Sequence, residues 1–371
     1  MKIAVLGAGM VGRAIALDLA NEHSVTSFDL NAANLEELKK RNSLIQTVTA
    51  DLSQYDEYKN WLSPFDLVVT AVPGFMGYKA LEAVINAEKN VVDISFFPED
   101  ALQLDALAKE KNVTVITDCG VAPGMSNFIL GRYNAAMKVT AFECYVGGLP
   151  KHPKPPFYYK APFSPVDVIQ EYIRPARLVE DGGIVIKPAL SEREMMRFEP
   201  VGELEAFNTD GLRSLIYTMP DIPDMKEKTL RWPGHIDLVI ALKESGMFDE
   251  KPVKINGIEI SPLEFISGLL VKEWKLNEGE EEFTVMKVIV KGTEKTIEYN
   301  LYDEYDTAKG ISSMARTTGY TCTAAVGLVN NGLFNDKGVF PPELIGSRKE
   351  CFDFVLAYLK ERNVIWRKAE K

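Results

Sequence analysis

Six short β-branched runs, Lys2–Leu6, Ser24–Phe28, Ile45–Thr49, Leu67–Ala71, Val91–Ile94 and Val113–Thr117, alternate with segments whose apolar residues recur every three or four positions. Strands separated by amphipathic helices cannot close as hairpins. They need crossover connections, which produce a parallel sheet covered by helices on both faces, the doubly wound Rossmann architecture. The intervening segments Ala14–Leu19, Ala33–Lys40, Tyr78–Ala87 and Ala101–Lys111 keep charged residues between their apolar positions, and Asn31 stands as an N-cap ahead of Glu36 and Glu37. An α/β fold with an N-terminal doubly wound sheet is the expectation.

At 371 residues the chain exceeds what one hydrophobic core serves, so a second domain is expected. The pattern changes after Cys119-Gly120. A strand over Ala141–Val146 runs into Gly147-Gly148-Leu149-Pro150 and a proline-rich loop, and Ser164-Pro165 then launches a helix over Val166–Ile173. Two-residue alternation in Glu282–Val290 and Thr296–Tyr302, around a turn at Lys291–Lys295, predicts an antiparallel hairpin. The second domain is therefore α+β. Met314–Val329, rich in small residues, predicts a closely packed helix.

A formal charge of −11 argues against a phosphate-backbone partner, and the longest basic cluster, Lys39-Lys40-Arg41, suits a helix C-terminus. No nucleic acid is expected. The first apolar run is too short for a signal peptide and no later one approaches a membrane span, so a cytoplasmic protein without membrane contact is expected. Cys119, Cys144, Cys322 and Cys351, like His23, His152 and His235, are dispersed, which predicts no metal site and reads Cys119 as a buried thiol. A homodimer is expected only because dimers are common.

Gly7-Ala8-Gly9-Met10-Val11-Gly12 joins the first strand to the first helix. In that setting Gly7 makes the tight turn, Gly9 lets a pyrophosphate approach the backbone, and Gly12 lets helix pack on strand. Asp29 ends the second strand, where a carboxylate accepts both ribose hydroxyls and repels a 2′-phosphate. Leu30 and Asn31 follow it rather than Arg or Lys, which favours NAD over NADP; FAD shares the fingerprint. Asp51 lies just past the third strand, Ala71, Val72 and Pro73 close the fourth, Asp93, Ile94 and Ser95 end the fifth, and Gly120, Val121 and Ala122 follow the sixth. Their shared sheet edge makes them cofactor contacts.

Asp118-Cys119-Gly120-Val121-Ala122-Pro123-Gly124-Met125-Ser126-Asn127, followed by Tyr145-Val146-Gly147-Gly148-Leu149-Pro150, resembles the saccharopine dehydrogenase superfamily, and most of all its lysine 6-dehydrogenases. Leu204–Phe207, Lys228–Arg231 with Gly234-His235, Met314–Arg316 and Gly338–Glu343 extend the resemblance in order along the chain. It implies a Rossmann domain over residues 1–124, an α+β substrate domain over 125–308, and a C-terminal helical segment over 309–371 that returns to the Rossmann half. It further implies NAD-linked oxidation at a carbon–nitrogen bond of an amino acid, lysine first, with release of ammonia. Tyr159-Lys160 and Phe163-Ser164-Pro165 also resemble saccharopine dehydrogenase itself, leaving reductive condensation of an amine with a carbonyl acid as an alternative, beside a catalytically silent NAD-binding regulator.

Such a reaction needs a base for the amine and a cationic clamp for the carboxylate. Arg213 and Arg231 are the candidate clamps, with Gly148 and Tyr159 as further substrate contacts. Lys160 and His235 are the candidate bases, and Glu205 would hold the amine or orient the base.

Overall fold

The computed structural model describes residues 1–277 and 279–371. β1 (Lys2–Leu6), β2 (Ser24–Asp29), β3 (Gln46–Thr49), β4 (Leu67–Thr70), β5 (Asn90–Asp93) and β6 (Thr114–Ile116) form a parallel sheet in the order β3-β2-β1-β4-β5-β6. The helices α1 (Met10–Leu19), α2 (Ala32–Arg41), α3 (Tyr58–Leu62), α4 (Gly74–Asn86) and α5 (Asp105–Glu110) alternate with the strands. Alternate side chains of β1 feed two cores: Ile3 and Val5 pack with Ile15, while Ala4 and Leu6 pack with Leu81 and Ile85. Each such buried side chain contributes about 1.5–3 kcal/mol. Asn31 caps α2 by accepting from the Ala33 amide at 3.0 Å.

The second sheet begins after α6 (Met125–Asn134). Its strands are β7 (Val139–Pro150), β8 (Ala176–Glu180), β9 (Gly183–Lys187), β10 (Glu194–Phe198), β11 (Gly202–Asn208) and β12 (Asp224–Arg231). After a separate ribbon, β13 (Val253–Ile255) and β14 (Ile258–Ile260), it is completed by β15 (Glu282–Gly292) and β16 (Thr296–Glu304). The order is β10-β11-β12-β7-β15-β16, with β8 and β9 attached beside β12. β15 and β16 are the expected antiparallel hairpin. Beside this sheet stand α7 (Pro165–Ile173), α8 (Leu215–Thr218), α9 (His235–Glu244) and α10 (Pro262–Trp274).

One expectation fails within β7, which continues through Gly147 and Gly148 instead of ending before them. Both glycines are paired across to Val285 and Thr284. They are glycine because a Cβ would strike Leu230 at 2.8 Å from Gly147, and Met314 and Pro162 at 2.6 Å from Gly148. Crowding, not a turn, selects them.

The tail returns to the first sheet and then leaves it again. α11 (Ser313–Asn330) packs on α1, and β17 (Gly338–Phe340) adds a parallel seventh strand beside β6. After α12 (Pro342–Gly346) and α13 (Lys349–Glu361), β18 (Trp366–Glu370) pairs with β16 of the second sheet. Buried Asp18 on α1 anchors this tail, accepting from Thr323 at 2.6 Å, Tyr358 at 2.8 Å and Arg362 at 2.7 Å.

Candidate functional site

Between the two sheets lies a cleft of about 1000 Å³. Its cofactor half is built by the glycine turn. Gly7 has φ +109, and a Cβ there would meet the Ala71 carbonyl oxygen at 2.3 Å; one on Gly12 would meet the Gly7 carbonyl oxygen at 2.1 Å. Gly9 differs, because nothing lies within 4 Å of its missing Cβ. It opens onto the cleft and caps α1 without a side-chain bond, so the first turn of that helix offers backbone N–H groups to an anion. Asp29 is fixed at the edge: Oδ2 accepts from the Ala8 amide at 2.6 Å and Oδ1 from the Asn31 amide at 2.7 Å. Each oxygen retains a lone pair for a ribose hydroxyl. These residues fit a dinucleotide.

Gly7, Gly9, Met10, Val11, Gly12, Asp29, Leu30, Asp51, Ala71, Val72, Pro73, Ile94, Ser95, Val121 and Ala122 all line the cleft. Ala8, Asp93 and Gly120 do not. Ala8 is buried and contributes its amide to Asp29. Asp93 is wholly buried, accepts from Thr70 at 2.6 Å, and is pushed up to about 7 by that burial. Its place at a strand end suggested a cofactor contact, but its side chain turns inward. Gly120 is tucked against Gly124 and Pro123 in the turn that opens α6.

The substrate half corrects more of the expectations. Lys160 lies off the cleft lining, its ammonium donating to the Glu273 carbonyl. His235 is fully buried at the start of α9, with Nδ1 donating to the Phe157 carbonyl at 2.7 Å and Nε2 accepting from Tyr172 at 2.9 Å. Burial, reinforced by the charge of Arg231, lowers its pKa to about 3. Neither residue is placed to serve as a base. Glu205 is buried away from the cleft in an ion pair with Arg193, and Tyr159 lies beneath the Arg231 guanidinium, 4.4 Å from ring centroid to Cζ. Arg213 also misses the cleft: it bonds Asp118 at 2.8 Å and the Phe97 carbonyl, tying the second half of the chain to the first.

Gly148 and Arg231 do line the cleft. Arg231 already has its charge paired, donating to Tyr172 at 2.9 Å, to the Leu230 carbonyl at 3.0 Å and to Glu171 at 2.8 Å. The open wall is made by residues that the sequence reading passed over. Glu227 on β12 accepts from Thr209 at 2.6 Å, and the Thr209 hydroxyl shares a 2.8 Å bond with Thr229. Burial, aided by Glu171 and Asp210 and opposed by the Thr209 hydrogen bond, pushes the Glu227 carboxyl up to about 8. Gly211 makes the space for it, since a Cβ there would lie 2.2 Å from Oε2. On α7, Asp167, Gln170 and Glu171 recur at helical spacing along the cleft, with Arg174 just past the helix end, while Val168, Ile169 and Tyr172 turn into the core. That polar stripe was the available signal. Among the described residues no cluster of His, Cys, Asp or Glu could hold a metal ion, and no helix is long and apolar enough to cross a membrane.

Two family profiles match in tandem: the saccharopine dehydrogenase NADP binding domain over residues 3–116 and the saccharopine dehydrogenase C-terminal domain over residues 120–365. The chain belongs to the saccharopine dehydrogenase family. Among its relatives, the mitochondrial alpha-aminoadipic semialdehyde synthase of Rattus norvegicus is 24% identical over 278 residues, covering 71% of this chain but 30% of the relative, so the chain spans less than a third of that protein. The saccharopine dehydrogenase (NADP(+), L-glutamate-forming) of Saccharomyces cerevisiae is 23% identical over 444 residues, covering 98% of this chain and 99% of the yeast protein. The solved structure of the apo form of saccharopine dehydrogenase (L-Glu forming) from Saccharomyces cerevisiae superposes with a TM-score of 0.80 at 19% identity, covering 100% of this chain and 99% of the other. That likeness extends the shared fold over the entire length.

Proposed function

We propose that the protein is an NAD-dependent amino-acid dehydrogenase that oxidises an amine-bearing carbon, with lysine as the first candidate substrate. The observation that carries this reading is Glu227: a buried carboxyl on the same cleft onto which Gly9 and Asp29 open. The cofactor, when bound, accepts a hydride from the carbon that bears the nitrogen. An ammonium has no lone pair to form the carbon–nitrogen double bond, so a proton must leave first. Glu227, with its carboxyl at about 8, takes that proton in its ionised form, whose share grows as pH rises toward 8, and Thr209 steadies that charged form. Water adds to the resulting imine, and ammonia departs as the aldehyde forms.

NAD is preferred because Asp29 presents a negative charge where a 2′-phosphate would lie, although the matching domain is named for NADP. Arg13 and Arg41 also line the cleft, so measurement with both dinucleotides is part of the test. Purified protein is incubated with NAD or NADP and a panel of amino acids while reduced nicotinamide is followed by absorbance. Signal with lysine and NAD supports the reading, and none above background sinks it. The names of the relatives favour a second reading, reductive condensation of an amine with an oxo acid. It predicts oxidation of reduced cofactor only when both partners are present.

A further inference from the structure

Four arginines stand in or behind the substrate half of the cleft, and three have a carboxylate partner. Arg177 grips Asp210 through two bonds of 2.8 and 2.9 Å, Arg213 holds Asp118 at 2.8 Å, and Arg231 holds Glu171 at 2.8 Å. Arg174 has no ion pair among the described residues. Its Nη1 is buried without a hydrogen-bond partner, while the residue lines the cleft. No guanidinium N–H of Arg174 has a protein acceptor among the described residues, so the part of the side chain that faces the cleft keeps donors for the acceptor a bound ligand brings.

The backbone fixes where this charge sits. Arg174 follows the last turn of α7, its amide bonded to the Gln170 carbonyl at 2.9 Å, and Pro175 prevents the helix from continuing. The guanidinium lies over the Phe96 ring at 5.5 Å, one residue beyond Ser95 in the cofactor half. It therefore bridges the two walls of the cleft, four residues along the same helix face from Gln170 and three from Glu171. Lys275, which also lines this half, is on the exposed rim.

We infer that Arg174 is the residue that recognises the substrate's carboxylate, making the preferred substrate an amine that also carries an acid group. Arg231, whose charge is already answered by Glu171, is then a positioning residue. This inference rests on the amine-oxidation reading for its choice of substrate class, but it is tested by binding and does not require turnover.

The probes are lysine with one end removed. 6-Aminohexanoate keeps the carboxylate and lacks the α-amine, and pentane-1,5-diamine keeps both amines and lacks the carboxylate. Each is titrated into protein saturated with reduced NAD, with nicotinamide fluorescence as the readout. The wild type is expected to bind the acid more tightly than the diamine. Arg174→Gln is expected to weaken the acid by about ten- to hundredfold, leaving the diamine within about twofold, and Arg174→Lys to recover part of the loss. Equal weakening of both probes, or of neither, overturns the assignment. Melting temperatures within a few degrees of wild type for both variants exclude a folding effect. A protein that reduces no NAD with any amine, yet loses the acid with Arg174, refutes the reaction and keeps the anchor.

Discussion

Replacing Glu227 by glutamine keeps the side chain's size and removes its titration, which allows its role and its electrostatics to be read separately. The folded carboxyl titrates at about 8 against an ordinary 4.5. Because the folded state holds the proton more tightly than the unfolded state, the associated stability is present below about 4.5 and is lost as pH rises through about 8. Over that interval the wild type loses about 1.4 kcal/mol per pH unit relative to the glutamine variant. Allowing for half-ionisation at pH 8, the difference between pH 6 and pH 8 is about 2 kcal/mol. A chain of 371 residues, with about 2 cal/mol/K of unfolding entropy per residue, converts this into about 3 °C. The melting temperature of Glu227→Gln should therefore gain about 3 °C on the wild type across this range. If Glu227 is the base, wild-type kcat/KM rises about tenfold per pH unit and levels off near 8, whereas the variant loses that limb and about 10²–10⁴ of the rate. A gap in melting temperature that stays flat with pH refutes the buried carboxyl; a variant that keeps the wild-type rate refutes the base.

Gly9 and Gly12, two of the three fingerprint glycines, should separate in the same assays. Gly9→Ala adds a methyl to open space and should leave denaturant stability unchanged while weakening NAD by about tenfold, whereas Gly12→Ala drives a methyl into the Gly7 carbonyl and should cost about 1–3 kcal/mol. Arg213→Ala leaves Asp118 buried and unpaired, so urea unfolding should show a loss of about 3–5 kcal/mol. Lys160→Met should keep kcat within about twofold, since the ammonium only meets a main-chain carbonyl outside the cleft. Asp29→Asn should narrow the preference for NAD over NADP by about tenfold, measured as the ratio of kcat/KM values.

The first sheet was legible because its signals are local: a strand, a glycine turn and an amphipathic helix each state themselves within a dozen residues. β17 escaped because three residues ahead of Pro341-Pro342 carry no periodicity, and only pairing with distant β6 makes them a strand. The substrate half was legible as sequence but not as chemistry. His235 looks ready to titrate until both ring nitrogens are seen to be engaged in the core. Glu227 sits in Asp224-Met225-Lys226-Glu227-Lys228, a stretch that reads as solvated, and its setting depends on Thr209 and Gly211 arriving from outside the strand. Arg213 and Arg174 are both arginines near the cleft. Both guanidiniums lie over the Phe96 ring, and only the position of Asp118 tells which one is engaged and which is open.

The last strand, β18, has a consequence for the chain as a physical object. The polypeptide passes from the first sheet to the second after β6, returns through α11 and β17, and passes over once more to end against β16. Neither sheet is a contiguous stretch of sequence, so no single cut yields two self-sufficient pieces. A break after Glu304 strands β17 and β18 on one fragment, each without its neighbour. The protein is laced rather than hinged, and protease nicks in its loops should leave two fragments clasped together until both sheets come apart at once.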